Sequence, residues 1–133
     1  MKNDGKYLLI IYEEMAESIL KTKSYLFSIE IVKIYQHLSK EKQEFIISKQ
    51  LIRSWTSIWA MIREAEFGQS KADFINKMSI ALKEANETLY WLDLLKDTSY
   101  IDQQQYKILH GKWEEILRML VATIKTSKEK NWY

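Results

Sequence analysis

No proline interrupts this chain anywhere along its 133 residues, and only three glycines do. Sandwiches and barrels of short strands need many tight reversals, which draw on both residue types, so a chain this poor in them is pushed toward a few long helices. The length suits one domain, read as spanning residues 1–133, and 47% hydrophobic with 29% charged residues is a globular composition. Cysteine is absent, which excludes disulfides, cysteine-ligated zinc and thiol nucleophiles.

Four segments carry apolar residues at helical spacing. The first, about Glu14 to Leu38, has a stripe through Phe27, Ile31, Ile34 and Leu38, widened by Tyr25, Ile29 and Val32. Ser39 and the charges after it read as a stop and a new N-cap, so the second helix is expected from about Lys40 to Glu66. Its two stripes, one through Ile47, Leu51, Ile58, Ile62 and Ala65, the other through Phe45, Ile52, Trp55 and Trp59, imply two partners. Gly68 suits a helix C-terminus, and Ser70 with Asp73 suits the next N-terminus. The third helix is expected over Lys71 to Lys96 and the fourth from Asp102, as its cap, to about Thr126. Long helices joined by connections of ~2–6 residues must lie beside their sequence neighbours, which predicts an all-α, antiparallel up-down-up-down four-helix bundle with short loops. Residues 1–14 and 127–133 are expected to be peripheral or frayed.

Twenty basic residues against eighteen acidic ones give a formal charge of +2, too small for a strong field. The basic residues concentrate modestly at the end, where Arg118, Lys125, Lys128 and Lys130 face only Glu129. Most cations are lysines, which solvate surfaces more often than they read bases. The apolar run Tyr7–Tyr12 falls well short of the ~20 residues a bilayer span requires, and no cleavage site follows it. The expectation is a cytoplasmic protein without a membrane partner.

Catalytic signatures are missing. A di-metal bundle needs Glu-x-x-His on two helices, but Ile34 stands three before His37 and Lys107 three before His110. The two histidines read as helix-end or interhelix polar residues, with a bis-histidine haem as the weaker alternative. No phosphate loop, dinucleotide fingerprint or nucleophile elbow occurs, and no serine or threonine has a base supplied locally. Paired carboxylates such as Glu84 and Glu87 suit ion pairs along a helix better than acid–base work. The chain is therefore expected to be no enzyme, with no cofactor and no small-molecule substrate.

The stretch Ser48-Lys49-Gln50-Leu51-Ile52-Arg53-Ser54-Trp55-Thr56-Ser57-Ile58, then Glu64-Ala65, Gly68 to Phe74, Ile80 to Ala85, Glu87-Thr88 and Tyr90-Trp91-Leu92 resembles the four-helix-bundle family first noticed as reading frames inside 23S rRNA intervening sequences. The likeness covers about residues 15–126 and includes polar as well as apolar positions. It implies a bundle that assembles as a ring-like homopentamer without catalytic residues. A distant branch is similar to the accessory protein of diversity-generating retroelements, a pentamer that binds nucleic acid and a reverse transcriptase. Trp55, Trp59 and Met61 depart from the family pattern, which has small residues and an Asn in this region.

Trp55 and Trp59, one turn apart, either fill a core rich in indole or form an exposed patch. On the second reading Trp55, Trp59 and Ile52 are subunit contacts, and the protein is a homo-oligomeric interaction module. Arg53, Ser57, Glu64 and Glu84 coincide with polar positions of the family and suggest an interhelical polar network, ahead of a recognition surface. The alternative function is nucleic-acid binding, as an accessory to RNA or a reverse transcriptase. There a ring would multiply a basic face of Lys49, Arg63, Lys112, Arg118 and Lys125 against RNA or DNA.

Overall fold

The computed structural model describes residues 4–129 as four helices: α1 (Asp4–Lys40), α2 (Ile47–Glu66), α3 (Lys71–Asp97) and α4 (Gln103–Glu129). α1 and α3 each pack on both α2 and α4, and among the described residues neither diagonal pair brings its backbones within 8 Å. Cross-helix partners run in opposite order: Arg53 meets Glu87 while Glu64 meets Lys77, and Asp93 meets Tyr106 while Trp113 meets Ala85. The result is the expected antiparallel up-down-up-down bundle.

The core follows the helical stripes. Leu20, Ile31 and Leu38 of α1, Leu51 and Ile58 of α2, Met78 and Leu92 of α3 and Leu120 of α4 are all buried. Removing each such side chain from water contributes about 1.5–3 kcal/mol. Two tryptophans also tie the hairpins by their ring nitrogens. Trp55 Nε1 donates to Ser28 Oγ at 2.8 Å and to the Ser24 carbonyl at 3.2 Å, joining α2 to α1. Trp113 Nε1 donates to the Ala85 carbonyl at 2.7 Å, joining α4 to α3.

Several boundaries differ from expectation. α1 begins at Asp4, about ten residues before Glu14. Tyr25 and Ile29, expected to widen its core stripe, are exposed. Ser39 caps nothing; its Oγ donates back to the Tyr35 carbonyl inside α1. α2 begins at Ile47 rather than Lys40, which leaves Phe45 exposed in the connection. α4 continues to Glu129 with Ser127 buried, so residues 127–129 are packed helix. Residues 1–3 and 130–133, including the Lys130 end of the basic tail, lie outside the described residues.

The α2 start is held by a carboxylate the sequence reading overlooked. Glu44 accepts from the amides of Ile46 at 2.8 Å, Ile47 at 2.6 Å and Ser48 at 2.9 Å, covering three donors that a helix start leaves unpaired. The expected caps at Ser70 and Asp102 do form, each accepting from the amide three residues on. Gly68 has no positive φ; its use is close approach, since a Cβ there would meet the Ala65 carbonyl at 3.0 Å.

α3 closes in a Schellman turn, with the Tyr100 amide donating to the Leu95 carbonyl and Ser99 to Lys96. Its left-handed position is Ser99, φ 66°, where glycine is usual. Ser99→Gly is expected to raise unfolding stability by about 1 kcal/mol, read from the urea midpoint at unchanged m. A lower midpoint would contradict the strain.

Candidate functional site

The sequence leaves Trp55, Trp59 and Ile52 of α2 as either core or subunit contacts, and the structure divides them. Trp55 is 0% exposed and stands edge-on to Phe27, ring centroids 4.3 Å apart, so it belongs to the core and cannot be a subunit contact of the folded chain. The physical reason is its direction: Trp55 points into the α1–α2 seam, where Ser24 and Ser28 leave room for an indole. Trp59, one turn on, is half-buried between Tyr25, 5.8 Å away, and the Arg63 guanidinium, 5.3 Å from its ring. Ile52 is also half-buried. Only Trp59 and Ile52 remain to face a partner here.

The expected polar network separates in the same way. Arg53 is exposed rather than buried; it pairs with Glu87 and stands 3.7 Å from Glu84. Burial raises the Glu84 carboxyl above its ordinary value, repulsion from Glu87 adds to this, and Arg53 opposes both. Ser57 donates to the Arg53 carbonyl within α2, and Glu64 reaches only Lys77 at 3.9 Å. Of the four residues, Arg53 and Glu84 meet and Ser57 and Glu64 do not join them. The buried polar link between α2 and α3 is instead Ser54 to Thr88, 2.9 Å apart and both 0% exposed. Two small hydroxyls were invisible as a pair until the register of α2 on α3 was known.

The five cations do not share a face. Lys49 and Arg63 lie on α2, while Lys112, Arg118 and Lys125 lie on α4, its diagonal neighbour. Lys112 is paired with Glu30 of α1 at 2.5 Å, and Arg118 with Glu114 at 2.8 Å. His37 is exposed near the end of α1, whereas His110 lies between Tyr106 and Trp113 on α4. A Cβ at Gly111 would meet open space, so that glycine makes no room for a close approach. Among the described residues no three His, Asp or Glu side chains gather as a metal site, and no helix is long and apolar enough to cross a membrane.

The conspicuous surface is on α1. Of seventeen large hydrophobic side chains exposed among the described residues, ten belong to this helix. Thr126 and Ser127 of α4 lie beside Glu13 and Ala16, so among the described residues most of 4–12 runs past the end of α4. Further along, Leu26, Phe27 and Ile29 of α1 and Ile116 of α4 line a shallow groove, rimmed by the pairs Lys23–Glu115 and Glu30–Lys112. The sequence holds the signal in Tyr7–Tyr12, an apolar run that reads first as a membrane or leader segment.

Comparison with known proteins agrees with this architecture. A solved structure from Bacteroides thetaiotaomicron, described as a protein with unknown function from the S23 ribosomal protein family, is 52% identical. It superposes with a TM-score of 0.82 over 83% of this chain and 98% of its own. No curated protein matches the chain. The family profile described as 23S rRNA-intervening sequence protein matches residues 16–122, and with most of the chain covered, the protein belongs to that family.

Proposed function

We propose that this chain is a non-enzymatic assembly module that associates with copies of itself. The observation that supports it is the band of exposed apolar side chains on α1, beside a core already closed by Trp55, Leu51 and Leu120. Scattered surface leucines are ordinary, but a contiguous apolar strip of this length is the mark of an interaction surface. The ring of five implied by the family resemblance is the favoured unit. Light scattering at micromolar concentration should give a multiple of the 16.0 kDa chain mass; a clean 16.0 kDa species would end the proposal.

The alternative, an accessory that binds nucleic acid, has less behind it. Its five cations are split between diagonal helices, and Lys112 and Arg118 are already neutralised by glutamates. Failure to shift labelled RNA or DNA at ~50 mM salt, where phosphate contacts are strongest, would close it.

A further inference from the structure

Along the outer face of α1, Leu8, Tyr12, Met15, Ile19, Leu26 and Ile29 follow each other at alternating steps of four and three, with Thr22 in the remaining position. All seven are exposed, Leu8, Tyr12 and Leu26 by 55%, 69% and 56% in the apolar set. This is a 3.5-residue repeat, the spacing by which one helix keeps the same face toward another helix. Within its own bundle α1 has turned a different stripe, Leu20, Phe27, Ile31, Ile34 and Leu38, to the core. The outer repeat is thus a second seam without a partner among the described residues.

We infer that this seam takes the same seam of a second copy, antiparallel, so that each N-terminal overhang lies on the partner's α1–α4 groove. The inference rests on the proposal that the chain self-associates. Three features select this occupant. The seam carries no charge, so two copies meet without like-charge repulsion, and the nearby Lys23 and Glu30 are already paired with α4. Half-exposed side chains of this size present roughly 100 Å² each, so six offer about 600 Å² per copy. With Leu9 and Tyr7 alongside, this approaches the ~800 Å² per partner of a stable interface.

Direction follows from the overhang. Tyr7, Leu8, Leu9, Ile10 and Tyr12 are exposed around the whole helix, and a helix apolar on every side requires cover on more than one. A parallel pair would set overhang against overhang and leave the other sides in water. An antiparallel pair sets Leu8 near the partner's Leu26, Met15 near its Ile19, and the overhang against two helices at the groove. Three of the seven positions precede residue 16, where the family match begins, and the other four lie within it.

Such a contact is two-fold and joins like surfaces, so it cannot itself close a ring of five; a ring would use the remaining faces, and this seam would pair two such assemblies. In the full chain, Leu8→Glu with Tyr12→Glu should therefore halve the native mass, with helix content by circular dichroism unchanged because both residues are exposed. The absence of native cysteine permits a direct check of direction. Leu8→Cys with Leu26→Cys should oxidise to a covalent dimer, since within one helix the two positions stand ~27 Å apart, far beyond disulfide reach. Leu8→Cys alone should not cross-link. An unchanged mass in the double glutamate variant, or a dimer from Leu8→Cys alone, overturns the antiparallel pair while self-association stands. A monomeric parent chain overturns both.

Discussion

Replacing Trp55 with Ala is expected to remove about 3–5 kcal/mol of unfolding free energy, a large share of the ~5–15 kcal/mol a domain usually has. The indole is fully buried against Phe27 and donates to Ser28 and Ser24, so truncation leaves both a cavity and acceptors that lose their donor. Trp55→Phe separates these effects. It keeps most of the ring but cannot donate, and should cost about 1–2 kcal/mol. Trp59→Ala should cost less than half as much as Trp55→Ala, because Trp59 already lies partly in water and its ring nitrogen has no acceptor. Urea titrations of the three variants provide the comparison. A Trp55→Ala loss below about 1 kcal/mol would be incompatible with a sealed indole at this position.

Glu44→Gln should destabilise by about 2 kcal/mol near neutral pH, since charge-assisted bonds to amides are among the stronger ones. Burial pushes the Glu44 carboxyl up, but the amides of Ser48, Ile47 and Ile46, with the Ser48 hydroxyl, together outweigh it and hold the group below its ordinary 4.5. A depressed carboxylate contributes stability that is fully present above the unfolded value. That stability disappears as pH falls through the folded one. The gap between parent and variant is therefore expected to stay constant from pH 8 to about 6 and to close below 4.5. A gap that widened on acidification would show that the carboxylate does not carry the α2 start.

What was legible in the sequence depended on local rules. The caps at Ser70 and Asp102 use a side chain and an amide three residues on, so four letters of sequence contain the whole interaction. On α3 the apolar residues Phe74, Met78, Ala81, Ala85, Leu92 and Leu95, at helical spacing, are buried, while Leu82 and Leu89 are half-buried. Glu44 was missed because Glu is not among the usual capping residues: its reach to the amide three residues on is the ordinary one, but it acts from outside the helix, through a turn in which Gln43 adopts φ 55°. On α1 the difficulty was abundance: apolar residues at two spacings support two faces, and Tyr25 and Ile29 were assigned to the wrong one.

The candidate surface shows the same division. Aromatic richness on α2 suggested a subunit contact, yet an indole serves a core or an interface equally well, and only the rotation of α2 against Ser24 and Ser28 placed Trp55 inside. The cations read as one possible face until α2 and α4 proved to be diagonal. Chain chemistry by itself determined four long amphipathic helices in alternating directions, because periodicity and the scarcity of Pro and Gly act within a few residues of one another. Tertiary structure decided which stripe of each helix is core, which polar residues meet, and which apolar face is left over, because those depend on the rotation of each helix against neighbours far away in sequence.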